Sequence, residues 1–90
     1  MIFSAHLLIE KLEGNKIRLV LCNNQGTELA CRKSTTTIVN RFLKGDKHFL
    51  FKGRLKLIKH ATNIQVLLKE NIVLEISCSN FNQRIYKTTG

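Results

Sequence analysis

Three histidines, three cysteines and six carboxylates are the side chains of this 90-residue chain able to ligate a metal or move a proton. Their spacing assembles neither chemistry. Cys22, Cys31 and Cys78 form no CxxC pair, and their odd count and wide spacing argue against a disulfide framework or a zinc knuckle. They read as small hydrophobes in a reducing compartment. His6, His48 and His60 are scattered, with no carboxylate at ligand spacing. Glu10 and Glu13, close together beside a turn, make no acid–base constellation, and the chain holds no nucleophile elbow or phosphate loop. The expectation is a protein that is not an enzyme and uses no metal or cofactor.

Cations carry the stronger signal. Fifteen Lys and Arg against six Asp and Glu leave a net charge of +9. Between positions 41 and 60 stand Arg41, Lys44, Lys47, Lys52, Arg54, Lys56 and Lys59 against Asp46 alone, which gathers +6 of that charge into under a quarter of the chain. Clustering of this kind fits nucleic acid first. A merely solvated basic face, an anionic membrane surface or an acidic protein partner are the alternatives.

Strand periodicity sets where those cations point. Read as one strand after a turn, Phe49, Phe51, Gly53, Leu55 and Leu57 share a face, and Lys52, Arg54 and Lys56 share the other. On that reading Phe49 and Phe51 belong to the core. Upstream, Phe3, Ala5, Leu7 and Ile9 alternate as a first strand, ended by Glu13-Gly14-Asn15. Ile17, Leu19 and Leu21 face inward on a second, with Arg18, Val20 and Cys22 opposite. Asn23-Asn24-Gln25-Gly26 signals a hairpin. Leu29 and Cys31 then point inward on a third strand, with Glu28, Ala30 and Arg32 outward.

The period changes after that strand. Ser34 or Thr35 is placed to cap a short helix with Ile38, Val39, Phe42 and Leu43 on one side, and Gly45 is placed to stop it. Beyond His60, Ile64, Val66, Leu68, Ile72, Leu74 and Ile76 keep one parity. That pattern allows one long strand with a bulge near residues 69–71, the favoured reading, or two strands joined by a turn at Lys69-Glu70-Asn71. Residues 1–78 are therefore expected as one domain and 79–90 as a polar C-terminal tail. Phe81 and Tyr86, outside the expected core, could meet bases or a second subunit. The fold class expected is all-β with one short helix, in the order β-β-β-α-β-β. That is the order of the OB-fold, a five-stranded barrel that binds oligonucleotides on one face.

Phe42-Leu43-Lys44-Gly45-Asp46 followed by Phe51-Lys52-Gly53-Arg54-Leu55 resembles the bacterial single-stranded-DNA-binding proteins. These have a tyrosine-leucine-x-lysine-glycine helix end and then a strand carrying glycine-x-leucine. Ile17-Arg18-Leu19-Val20-Leu21-Cys22-Asn23 and Leu29-Ala30-Cys31-Arg32-Lys33 are similar to that family's second and third strands, so the likeness spans most of residues 17–76. It implies base-stacking positions at His60 and Arg32 and a tryptophan-type position near Gly26. The chain has no tryptophan, and its hairpin at Asn23 is short, as in reduced bacterial and plastid-type members. Histidine and arginine planes replace part of what aromatics give, so weaker, more salt-sensitive binding is expected.

The function expected is non-catalytic binding of single-stranded nucleic acid, DNA before RNA, with little sequence preference. Lys52, Arg54, Lys56 and Lys59 would meet phosphates, Arg18, Arg32 and Lys33 would extend the track, and His60 and Arg32 would offer flat surfaces. The bland reading makes His60 a turn residue and the lysines solvated positions of a half-buried strand. The alternative function is a protein–protein subunit of a larger assembly. A homo-oligomer, dimer or tetramer, is expected because a chain this short buries a modest core. The run from Ile2 to Ile9 is too short to span a membrane and lacks a basic flank. Bacterial cytoplasm or plastid stroma is the expected setting.

Overall fold

Alternating aliphatic residues build the first sheet. β1 (Ala5–Lys11), β2 (Lys16–Asn23) and β3 (Glu28–Thr35) pair antiparallel in that order. The computed structural model describes residues 5–89, so the inward place expected for Phe3 lies outside the described residues. Ala5, Leu7, Ile17, Leu19 and Leu21 are buried. The Asn23 side chain closes the second turn by accepting from the backbone N–H groups of Gln25 and Thr27, both at 2.9 Å.

From Ala30 onward β3 is inverted relative to the alternation expected of it, while Leu29 packs against the core and Glu28 lies on the outer face as expected. Leu19 pairs with Arg32 and Leu21 with Ala30, after which the register shifts and Cys22 meets Glu28. Leu29 is thus the extra residue of a bulge. Directly paired residues share a face. Arg32 and Ala30 therefore stand on the core-facing side of the sheet, and Cys31 on the outer side.

α1 (Thr36–Leu43) starts and stops as its sequence dictates. Thr35 is the N-cap, its hydroxyl oxygen accepting from the Ile38 N–H at 3.2 Å. At the far end Gly45 takes φ +92°, its N–H meets the Phe42 carbonyl and the Asp46 N–H meets the Arg41 carbonyl. That pair of bonds is a Schellman cap, which needs a left-handed residue where glycine stands. Val39 and Phe42 are buried, Leu43 is half-buried and Ile38 is exposed.

The second sheet holds β4 (Phe49–Leu50), β5 (Leu55–His60), β6 (Asn63–Leu68) and β7 (Asn71–Ser77), all antiparallel neighbours in that order. The single fourth strand expected over Phe49 to Leu57 is instead a tight hairpin. Leu50 pairs with Leu57 and Phe49 with Ile58, so Leu50 turns inward and Phe49 outward. The single long strand expected over Ile64 to Ile76 is also two strands. Lys69 (φ +50°) and Glu70 (φ +71°) make the two-residue turn between them. That turn places Ile72 opposite Leu67, on the outer face, where it is 44% exposed, and a register shift between Leu67 and Val66 then returns Leu74 and Ile76 to the inner face, opposite the buried Val66 and Ile64.

Residues 79–90, expected as a polar tail, lie largely in a helix, α2 (Cys78–Thr89). The Ser77 hydroxyl oxygen accepts from the Asn80 N–H at 3.0 Å and caps its start. Phe81 and Ile85, four positions apart, form its buried stripe, and Arg84 donates to the Leu7 carbonyl at 2.9 Å. α2 packs on β1, β7 and α1, while β3 lies against β5 and β1 against β7. The described residues form two sheets and two short helices around one core, not a closed five-stranded barrel.

Candidate nucleic-acid interface

The β4–β5 connection gathers Arg32, Lys52 and Lys56 around two phenylalanine rings. Leaving the buried Leu50, the chain must reverse before the buried Leu55. It does so with Phe51 at φ +69° and Gly53 at φ +93°. Left-handed backbone costs a phenylalanine about 1–2 kcal/mol, so the surroundings must hold it there. Arg32 supplies that hold from β3. Its Nη1 donates to the Lys52 carbonyl at 2.7 Å, and its guanidinium lies 5.3 Å from the Phe51 ring centroid. The bulge at Leu29 is what turns Arg32 toward this loop.

Phe49 stands beside it on the outer face, 38% exposed, where it was expected in the core. The Lys52 and Lys56 ammonium groups lie 5.4 and 5.1 Å from its ring centroid. Such contacts stabilise by about 0.5–1 kcal/mol each at exposed sites, and they hold two cations around one flat ring. An open cleft of about 480 Å³ runs past this corner, lined by Arg32, Lys47, His48, Phe49, Leu50, Phe51 and Lys52. None of those residues is acidic.

The residues expected to bind are divided among different surfaces. Arg32, Lys52 and Lys56 converge on the cleft and its rim. Arg54 is exposed in the same loop, and its backbone carbonyl accepts from the Lys69 N–H at 2.8 Å. His60 ends β5, exposed, with the outward parity of Lys56. Lys33 pairs with Arg18 on the outer face of the first sheet, the side opposite Arg32. Arg18 is tied to Glu10 at 3.3 Å and Glu28 at 2.6 Å. Its pKa is raised above an already high ordinary value, first by the Cys31 sulfur and then by those carboxylates, against some desolvation. Lys59 has the inward parity of Leu57, and its ammonium donates to the Leu43 carbonyl at 2.7 Å. It therefore closes α1 rather than extending the cationic track.

Lys47, His48, Phe49 and Phe51 escaped the reading of the sequence as site residues. The missed signal was Gly53. A glycine inside an apparent strand marks a turn or bulge, and the turn there puts Phe49 on the outer face, while Phe51, half-buried, still packs against the core as expected. Among the described residues no group of three His, Cys, Asp or Glu side chains is placed to hold a metal ion, and all three cysteines are free thiols. No helix among them is long and apolar enough to cross a membrane. Comparison with known proteins finds no matching family model, curated protein or solved structure.

Proposed function

We propose that this chain is a non-catalytic binder of single-stranded nucleic acid, built as an OB-like half-barrel drawn open into two sheets. One observation carries the reading: an acid-free cleft in which Arg32, Lys47 and Lys52 surround Phe49 and Phe51. Cations meet phosphates, flat rings meet bases that are not already stacked in a duplex, and neither contact reads sequence strongly. The element order β-β-β-α before the second sheet supports the OB-like part of the reading. Assembly into two or four copies belongs to the same proposal, and light scattering with and without an oligo-dT tests it.

The deciding experiment is fluorescence anisotropy of labelled single-stranded and duplex oligonucleotides at several salt concentrations. The single strand should bind more tightly. If about four phosphates are neutralised, log K should fall with log salt at a slope near −3, from ~0.7 per phosphate. Arg54→Ala and Lys56→Ala should each weaken the complex. Equal weak binding to both forms, untouched by these changes, would favour the second reading, a protein-contact module. That reading has its own observation: Ile58, Leu67 and the exposed Ile72 share the outer face of the second sheet.

A further inference from the structure

Resting on that reading, we propose that Phe49 is the platform for one nucleobase and that Lys52 and Lys56 take the phosphates on its two sides. The geometry separates this subsite from the positions that the sequence resemblance implied. Arg32, one of those positions, already stacks on Phe51 and bonds the Lys52 carbonyl. Turning it toward a base would remove both contacts and release a loop held in left-handed backbone. Phe49 carries no such structural duty. Its ring stands out from the short edge strand β4, while its neighbour Leu50 fills the core.

The two ammonium groups make the subsite specific to a nucleotide unit rather than to any flat ligand. Both lie within cation–π range of one ring, one from the loop and one from β5. A base arriving on that ring displaces them, and their flexible stems let each move to a flanking phosphate. Each cation exchanges a weak exposed contact for a charge-assisted one, and the ring exchanges ammonium for a stacked base. A duplex cannot supply this unit, because its bases are stacked on each other. A backbone stripped of bases supplies only half of it.

That last point gives the test. Labelled oligo-dT and an abasic oligomer of equal length and charge are titrated into the wild-type protein and into Phe49→Leu, which keeps an apolar side chain and removes the flat ring. The wild type should prefer oligo-dT by about tenfold or more, the scale of one stacked base. Phe49→Leu should abolish that preference and leave the abasic affinity and salt slope unchanged, which also reports that the variant is folded. Lys52→Ala and Lys56→Ala should weaken both oligomers and lower the slope by ~0.7 each. Equal affinity of the wild type for the two oligomers, or a preference that survives in Phe49→Leu, overturns the subsite while leaving nucleic-acid binding in place. Binding of neither oligomer overturns the subsite and the underlying reading together.

Discussion

The Nζ of Lys59 lies 2.7 Å from the carbonyl oxygen of Leu43, joining the end of β5 to the last turn of α1. The final carbonyls of a helix lack intrahelical partners and carry the negative end of its dipole, so a cation there is doubly favourable. The clustering of cations in the sequence put Lys59 among the expected phosphate contacts, and the structure gives it this other occupation. Lys59→Met keeps the aliphatic stem and removes the charge. It should lower stability by about 1–2 kcal/mol in urea unfolding. The salt slope of nucleic-acid binding should stay as in the wild type. A fall in slope with stability intact would return Lys59 to the phosphate track.

Arg18 is the second cation with prior engagements. Glu10 and Glu28 flank it on both neighbouring strands, on the outer face of the first sheet. Solvent screens exposed ion pairs of this kind, so they contribute little to stability. Arg18→Gln should therefore cost little stability and leave oligo-dT affinity within about twofold, because its charge is already compensated. A loss comparable to that of Lys56→Ala, read in the same anisotropy titration, would show that a ligand reaches this face as well.

Phe81 is fully buried and anchors α2 to the core. Phe81→Ala should destabilise by about 3–5 kcal/mol, a large part of the ~5–15 kcal/mol that holds a typical domain together. Thermal unfolding followed by circular dichroism checks this. A change below about 1 kcal/mol would be that of a surface residue and would restore the loosely held tail.

What the sequence made legible follows a physical boundary. From β1 to α1, apolar periodicity, the Asn23 hairpin, the Thr35 cap and the Gly45 stop agree with one another, and the elements fall where those signals put them. Beyond Gly45, reversals are hidden inside apolar runs. Phe51 and Lys69-Glu70 turn the chain with side chains that propensity does not associate with left-handed backbone, so only Gly53 and the polar break at Lys69-Glu70-Asn71 hint at the turns. Each hidden reversal, and the bulge at Leu29, exchanges the two faces of a strand, because strand side chains repeat every second residue. That exchange moved Phe49 outward and Arg32 to the core-facing side. The cationic stretch was thus visible, while its aromatic partners were not. α2 was missed because only Phe81 and Ile85 mark its buried stripe among polar residues.

Gly53 couples backbone to binding. Its φ of +93° is left-handed, and a Cβ added there would meet Arg32 Nη1 at 3.9 Å, an ordinary contact distance. Space is therefore not the obstacle and conformation is. Gly53→Ala should cost about 1–2 kcal/mol of stability. Because the strain falls in the loop that presents Lys52, oligo-dT affinity should fall too, with the same response to Gly53→Asn reduced, since asparagine tolerates this backbone better. Unchanged affinity in a destabilised Gly53→Ala would uncouple the loop from the ligand.

The turn at Lys69 and Glu70 yields a prediction whose sign decides between two folds. Both residues have positive φ, and a two-residue hairpin of that shape favours Asn-Gly. A side chain such as glutamate in left-handed backbone is strained by about 1–2 kcal/mol, and glycine relieves most of it. The double change Lys69→Asn with Glu70→Gly should therefore raise stability by about 1 kcal/mol, measured as a later urea midpoint with unchanged slope. Had residues 64–76 formed one bulged strand, glycine in its interior would lower stability by about 0.5–1 kcal/mol. An earlier midpoint would accordingly argue for the continuous strand, and with it for Ile72 facing the core rather than the outer surface it shares with Leu67.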